Sequence, residues 1–409
     1  MKDKLPPIHV LALFFMGLLF LVNGILASLN DVLKPFFQRL FDLNYTQSSY
    51  IHFVYYISNV FISIPASMLA SRLGYRKSIL IGLVFMFLGI STGIFASYMN
   101  SYYVYVGAVF FMAIGVSAAG VLVNPYVSQL TSNHPGRLNL VNSFYPAGGM
   151  LGPLVGGFLL YKGQQAAAVE VASSDTRILY ITLMALTLVP ISLFAAIKIP
   201  EIKISRTTIN LQTLGSLNRD FPALKWGMIC MFLYVGIEVA TGSLIVKFLA
   251  LPNILGMDDS DAGNWVSIYW GSFFVGRLLG AFAGNYFSSR DMLRATTIGS
   301  LVICGMVILG SGMPAAVAVV SLGFANSVMF SSIFAMTVEG MGKRVQEASA
   351  FFFMMTIGGS FVTYFQNNLA DMPQFGIQGS FGLTFLCYLY ILWYAFIGYN
   401  HNRTLKPTT

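Results

Sequence analysis

The chain has 409 residues, of which 56% are apolar and only 9% are charged, with a formal net charge of +8 and a mean hydropathy of +0.72. A soluble protein carries about 25% charged residues, because a surface that faces water needs them. The composition therefore excludes an ordinary soluble protein and indicates a chain whose surface faces lipid.

Long apolar stretches follow one another along the chain, each close to the roughly 20 residues that cross a hydrocarbon core. They are continuous rather than alternating, so they predict helices and not the strands of a barrel. The first stretch is too long for a signal peptide and lacks a small-residue cleavage site, so we interpret it as a retained span. About twelve spans are expected, at residues 8–33, 47–71, 78–98, 102–130, 138–161, 178–198, 223–250, 262–287, 292–312, 314–337, 348–369 and 380–400.

The basic residues fall unequally on the two sides of these spans. With the N-terminus inside, seventeen lie on the inner side and five on the outer side. This positive-inside bias predicts that both termini are cytoplasmic. It also explains the net charge without nucleic-acid binding, and we expect a multi-pass protein of the plasma membrane, the inner membrane in a bacterium.

The only long polar break in the chain divides it into two sets of six spans. We expect an N-terminal six-helix bundle at residues 1–198, a cytoplasmic linker at 199–222 and a C-terminal six-helix bundle at 223–409. The first spans of the two halves resemble each other weakly, as LVNGILASLNDVLK (21–34) and YVGIEVATGSLIVK (234–247). A parallel repeat is the favoured interpretation, and chance similarity between apolar helices is the alternative.

Asp31 lies toward the outer part of the first span, near Asn23, Asn30 and Lys34 on one helical face. An ionisable group at membrane depth costs about 2.5–3.5 kcal/mol on insertion scales, so it needs a reason. The favoured interpretation is a protonatable carboxylate that opens onto an aqueous cavity. The alternative is an interfacial aspartate paired with Lys34.

Two further ionisable groups lie inside spans of the second half. Glu238 shares a helical face with Tyr234 and Thr241, and we predict that it faces a cavity, with a structural carboxyl group as the alternative. Arg277, in GRLLG (276–280), is predicted to be structural, because it can snorkel or bond helix carbonyls.

Amides, hydroxyls and aromatic rings are concentrated in the remaining spans. Sugars suit such a site, because their hydroxyls pair with amides while their C–H faces stack on rings. Single amides in membrane helices also serve as contacts between helices, which is the alternative for each. The candidate solute-binding residues are Asn23, Asn30, Asn124, Asn142, Tyr145, Tyr234, Trp270, Gln366 and Asn367.

The sequence has no glycine-rich phosphate loop, no HExxH motif, and neither histidines nor cysteines at metal-binding spacing. We therefore expect no enzyme activity, no cofactor and no metal, and uphill transport would use a proton or other ion gradient. The expected partners are a small-molecule solute and membrane lipid, with no nucleic acid, and the chain is expected to be a monomer.

Several ordered blocks of the sequence resemble known transporters. The loop SRLGYRKSIL (71–80) resembles the signature of the major facilitator superfamily, keeping Gly74, Arg76 and Lys77 but with Ser71 at the usual acidic position. The chain is more narrowly similar to the fucose–galactose–glucose:proton symporter family. The blocks that carry this similarity are LNDVLKPFFQ (29–38), NPYVSQL (124–130), RLNLVNSF (137–144), YVGIEVATGS (234–243), YWGSFFVGRLLGA (269–281), MFSSIFAMTVEGMG (329–342) and GGSFVTYFQNNLAD (358–371).

This resemblance implies an all-α major facilitator fold, with two six-helix bundles and alternating access to a central cavity. It implies that Asp31 carries the coupling proton and that Glu238 matches a carboxamide or carboxylate of the seventh span. The sequence departs from the family at two positions. Gly120 replaces an acid of the fourth span, and Tyr145 replaces an asparagine of the fifth.

The sequence thus predicts a secondary active transporter that moves a sugar or similar polyhydroxy solute by proton symport. A transporter or exporter of a non-sugar molecule is the first alternative, suggested by Gly120 and Tyr145. A membrane receptor that binds a solute without transporting it is the second.

Overall fold

The computed structural model of the chain describes residues 6–43, 47, 50–161, 169–202 and 210–399, apart from some side chains within the helices. The described part contains α-helices and short 3-10 turns but no strand, so the predicted all-α fold is confirmed there. The α-helices are α1 (Pro7–Leu40), α2 (Tyr50–Leu73), α3 (Tyr75–Met99), α4 (Tyr102–Leu130), α5 (Pro135–Tyr161), α6 (Val169–Ala196), α7 (Leu211–Asp220), α8 (Ala223–Leu249), α9 (Asp259–Ala283), α10 (Ser289–Leu309), α11 (Gly312–Asn326), α12 (Met329–Thr337), α13 (Val345–Met354), α14 (Gly358–Asp371) and α15 (Gly376–Phe396).

Eleven segments of the described residues are long and apolar enough to cross a membrane. Helix α5 is not among the eleven, and several of its side chains lie outside the described part. Two of the eleven segments, Gly312–Thr337 and Gly342–Asp371, each contain more than one helix. The chain is therefore a multi-pass membrane protein.

The chain divides into two compact units. Unit 1 comprises Met1–Leu130 and Phe144–Thr208, and unit 2 comprises Thr131–Ser143 and Ile209–Thr409. Helix α5 thus begins in unit 2 and ends in unit 1.

Glycines hold the helices of unit 1 close together. A Cβ atom at Gly24 of α1 would lie 1.9 Å from the carbonyl oxygen of Tyr145 in α5, and one at Gly148 would lie 2.0 Å from that of Leu21. Small residues allow this approach, and van der Waals packing is a main source of helix association in lipid. Any larger residue at these positions would force α1 and α5 apart.

Arginines cap the C-terminal ends of two helices at equivalent places in the two units. Arg76, after Gly74 at φ +81°, donates from Nε and Nη2 to the carbonyls of Phe194 (3.3 Å) and Ala195 (2.8 Å) at the end of α6. Arg290 does the same for Ala395 (3.4 Å) at the end of α15. The last carbonyls of a helix lack backbone partners and carry partial negative charge, so a guanidinium stabilises both ends.

Helix α7 lies within the segment that the sequence predicts as a linker. Asn210 accepts a hydrogen bond from the backbone N–H of Thr213 (2.9 Å), which starts the helix with a capping box. Arg344 then holds α7 within unit 2 through Ser216 (2.8 Å) and Asp220 (2.5 Å).

Unit 2 contains three free thiols, Cys230, Cys304 and Cys387, and all three are buried.

Candidate functional site

Two spans of unit 2 are broken at membrane depth. The segment Gly312–Thr337 leaves the α-helix between Asn326 and Met329, and a 3-10 turn at Met355–Ile357 interrupts Gly342–Asp371. A break frees backbone carbonyls, and irregular backbone is tolerated in a membrane only where the protein or a cavity satisfies it. The groups that bond these carbonyls therefore identify the part of the interior in which a functional site is expected.

Asn326, at the first break, is the centre of a hydrogen-bond network. Its Oδ1 accepts from the Tyr388 hydroxyl (2.7 Å) and the Ser300 hydroxyl (3.4 Å), while its backbone carbonyl accepts from the Tyr234 hydroxyl (3.2 Å). All four side chains are fully buried. The break is thus held by side chains from α8, α10 and α15.

Glu238 lies one turn after Tyr234 on α8 and is only 8% exposed. Its carboxylate is within hydrogen-bonding reach of the Tyr234 hydroxyl and interacts electrostatically with Arg277. Its backbone carbonyl accepts from the hydroxyl of Tyr269 on α9 (3.1 Å). The predicted residues Tyr234, Glu238 and Arg277 are therefore brought together in unit 2.

Arg277 is buried, with 3% exposure, and donates to two backbone carbonyls. Its Nε is 2.9 Å from the carbonyl oxygen of Ser327, at the break, and its Nη1 is 2.6 Å from that of Asn142, on α5. Both acceptors are backbone carbonyls, as the structural interpretation of Arg277 expects, and that of Asn142 belongs to a helix.

Gln366 on α14 is a second polar group in the interior of unit 2. Its Oε1 accepts from the Thr384 hydroxyl (3.0 Å), while its Nε2 has no partner among the described residues. The hydroxyl of Thr241, one turn after Glu238, also lacks one in the described part of the chain. Buried polar groups are normally paired, so these two atoms have capacity for a ligand or water.

The remaining candidates of unit 2 differ in exposure. Trp270 is half-buried and packs against Tyr269 and Phe273, with ring centroids 5.8 and 5.6 Å apart. Asn367 is half-buried. Asn142 uses its Nδ2 on the carbonyl of Leu138 (2.9 Å), so one of its amide donors serves its own helix.

The polar candidates of unit 1 lie on α1, α4 and α5. Asn23 donates from Nδ2 to the carbonyl of Val116 (3.3 Å), and neither side-chain atom of Asn30 has a partner among the described residues. Asn124 is buried, and the ring of Tyr145 lies edge-on to Phe20 at 6.5 Å. Asp31 lies within α1, but its side chain is outside the described residues.

Sequence reasoning missed Asn326, Tyr388, Ser300 and Thr384. It also missed the pair Ser58 and Ser117 in unit 1, whose hydroxyls are 2.9 Å apart. The available signal for Asn326 was an amide followed by serine within an apolar span, in FANSVMFSS (324–332). Of the predicted loop signature, Lys77 is exposed, whereas Arg76 has the capping role described above.

The model of the Major Facilitator Superfamily matches residues 16–363 of the chain. The glucose/galactose transporter of Brucella abortus is 32% identical over 390 residues, covering 95% of this chain and 94% of that protein. The L-fucose-proton symporter of Escherichia coli is 25% identical over 378 residues, covering 86% of this chain and 85% of the symporter. A crystal structure of the Escherichia coli fucose:proton symporter has a TM-score of 0.83 at 23% identity, over 95% of this chain and 98% of its own, which is a likeness of fold.

This chain belongs to the major facilitator superfamily. The predicted fold and the resemblance to that superfamily are confirmed, and the relatives are transporters rather than enzymes. The chain is accordingly a multi-pass membrane transporter of a small-molecule solute.

Proposed function

We propose that this transporter carries a hexose or similar polyhydroxy solute by proton symport with alternating access. The observation that carries the proposal is the polar interior of unit 2, where a carboxylate and tyrosine hydroxyls lie within apolar spans, with an amide whose donor has no partner among the described residues. The names of the relatives that cover nearly the whole chain, a glucose/galactose transporter and a fucose-proton symporter, support the same solute class.

A sugar needs donors, acceptors and a flat apolar surface. The Glu238 carboxylate is the strongest acceptor of the proposed site, and hydrogen bonds to charged groups are about twice as strong as neutral ones. The Gln366 Nε2 and the Thr241 hydroxyl have hydrogen-bonding capacity that no described residue uses, and the half-buried ring of Trp270 offers a face for C–H stacking. The candidates Tyr234, Asn142 and Asn367 complete the proposed solute contacts of unit 2.

Asp31 is proposed as the proton-coupling residue of the first half, with Asn23, Asn30, Asn124 and Tyr145 as solute contacts. An acid in a membrane span marks a proton or ion path by default. Because Gly120 stands where the family has a second acid, Asp31 has no acidic neighbour on α4 to which it can pass its proton. Glu238 is the proposed second titrating group.

We further propose that the transporter is a monomer in the plasma membrane, the inner membrane in a bacterium, that it uses no cofactor, and that both termini are cytoplasmic. The bias of seventeen basic residues against five supports this orientation. Reporter fusions after Thr409 and within residues 163–175 should report opposite sides of the membrane. The same side for both would overturn the topology.

The function is tested with purified protein in liposomes. We expect exchange of labelled glucose, galactose or fucose, and accumulation when an inward proton gradient is imposed. A protonophore should abolish accumulation but not exchange, and liposomes without protein are the control. Exchange without a response to the gradient would indicate a facilitator.

A solute of another class is the second candidate, favoured by the departures at Gly120 and Tyr145. A thermal-shift screen of sugars, nucleosides, amino acids and drugs separates it from the first. Stabilisation by a non-sugar, with no sugar exchange, would replace the proposal. Binding of a sugar without flux would instead indicate a solute receptor.

A further inference from the structure

Helix α5 has a proline at position 146, in its interior. In an α-helix the N–H of residue i+4 donates to the carbonyl of residue i, and proline has no N–H. Asn142 is four residues before Pro146, so its carbonyl has no helical donor. It is also buried, and an unpaired buried carbonyl is unfavourable.

The guanidinium of Arg277 supplies the missing donor. Its Nη1 is 2.6 Å from the carbonyl oxygen of Asn142, while its Nε is 2.9 Å from that of Ser327. The second carbonyl is also free of a regular helical partner, because it lies at the break between α11 and α12. One side chain thus bonds two backbone carbonyls that lack a regular helical donor, one in α5 and one between α11 and α12.

Both of these acceptors are neutral, so the positive charge of Arg277 is balanced by another group. No ion pair within 4 Å among the described residues involves Arg277, and the carboxylate that interacts with it is Glu238. Tyr234 interacts with both of these groups. Its single proton is directed to the carbonyl of Asn326 (3.2 Å), which leaves its oxygen able to accept from Arg277.

We propose that Arg277 is a positioning residue for solute transport, which uses the carbonyl freed by Pro146 to fix the geometry of Tyr234 and Glu238. This inference rests on the proposed function and gives Arg277 more than a structural role. The planar fork of arginine reaches two acceptors in fixed directions, whereas the lysine ammonium is a compact point charge on a flexible stem. Lysine at position 277 would keep the charge but lose the geometry.

A double-mutant cycle between Arg277→Lys and Pro146→Ala tests the inference. Alanine restores an N–H to the carbonyl of Asn142, so the bond from Arg277 becomes redundant. We expect Arg277→Lys to raise the KM of sugar exchange by about tenfold and Pro146→Ala by about threefold, and the double variant to be no worse than Arg277→Lys alone. Pro190→Ala, which removes a proline inside α6, is the matched control and should combine additively with Arg277→Lys.

Thermal unfolding in detergent, without sugar, is measured on the same variants. The Pro146→Ala and Arg277→Lys shifts should again be non-additive, whatever solute the protein carries. Additive shifts would overturn the assigned geometry, and a lower Tm with an unchanged KM in Arg277→Lys would reduce Arg277 to a structural residue. If the wild type moves no sugar while the unfolding cycle is non-additive, the proposed function fails and the bond to the freed carbonyl stands.

Discussion

The interiors of the two units are built from different polar groups. The described polar contacts of unit 1 include the bond from Asn23 to Val116 and the hydroxyl pair of Ser58 and Ser117. In unit 2, Asn326 gathers three hydroxyls, and Glu238 interacts with Arg277. Among these described contacts, those of unit 2 converge on one residue, Asn326, and include an interaction between two charged groups.

The two halves nevertheless share features of their architecture. Arg76 caps α6 and Arg290 caps α15 in the same way. Where the first spans of the halves are aligned, however, Glu238 corresponds to Ile25 and Asp31 to Leu244. The two units thus share the arginine caps, while the ionisable groups at the aligned positions differ.

The largest effect is expected at Asp31, which would give unit 1 its role in coupling. A pH step of one unit supplies about 1.4 kcal/mol per proton, enough for roughly tenfold accumulation. Asp31→Asn mimics the protonated acid, so it should abolish accumulation and preserve exchange of labelled sugar in liposomes. Asp42→Asn is the matched control, because Asp42 is exposed and asparagine tolerates its φ of +48°.

Persistent accumulation in Asp31→Asn would remove the coupling role from unit 1. The difference between the units would then be larger, because Glu238 of unit 2 would be the remaining candidate for proton transfer.

The next effect is expected at Glu238. Glu238→Gln keeps the volume but removes the charge, and the loss of one charged hydrogen bond to a sugar hydroxyl should raise KM by about tenfold, or about 1.4 kcal/mol. KM is measured by exchange at varied sugar concentration. Glu339→Gln, at an exposed acid after α12, is the control. If the KM of the Glu238→Gln variant equals that of the wild type, Glu238 has a structural role and does not bind the solute.

A smaller effect is expected on the free energy of unfolding. It compares the network of unit 2 with a single hydrogen bond of unit 1. Asn326→Ala leaves the buried hydroxyls of Tyr388 and Ser300 without their acceptor, which should cost about 1–3 kcal/mol. Asn23→Ala removes one bond of 3.3 Å and should cost less than about 1 kcal/mol. The apparent Tm of both variants in detergent checks the order. Equal shifts would mean that the network of unit 2 contributes no more than an isolated bond.

The smallest effect is expected at His134, in the loop where the chain passes from unit 1 to unit 2. Burial, and next the nearby Arg137, lower the pKa of His134 below its usual value of 6.5. The unfolded chain thus binds a proton more readily than the folded one, so stability should fall as the pH drops below about 6.5. His134→Gln should remove that part of the dependence in unfolding measured from pH 5 to 8. An identical pH dependence in the variant would contradict the assignment.

The spans and the helical class were predictable from the sequence, because lipid demands long apolar helices. Asn142, Glu238, Tyr234 and Arg277 were recognised because polar side chains stand out in apolar spans. That Arg277 bonds the carbonyl of Asn142 was not predictable, since the two residues are 135 positions apart in the chain.

The helix breaks were also missed, because the local sequence does not indicate them. No proline marks Asn326 to Met329, so the break depends on tertiary partners rather than on intrinsic preference. The bonds from Tyr234 and Arg277 that stabilise it come from α8 and α9. A sequence pattern contains no information about such partners until the fold is known.

The burial of the three cysteines makes the wild-type chain a suitable background for site-directed probes. A thiol reacts as its thiolate and must be reached by the reagent, and Cys230, Cys304 and Cys387 are at most 4% exposed. A maleimide dye or spin label should therefore attach to a newly introduced cysteine while the native three stay unmodified. Distances between probe pairs are thus measurable during turnover without first removing residues that pack the core of unit 2.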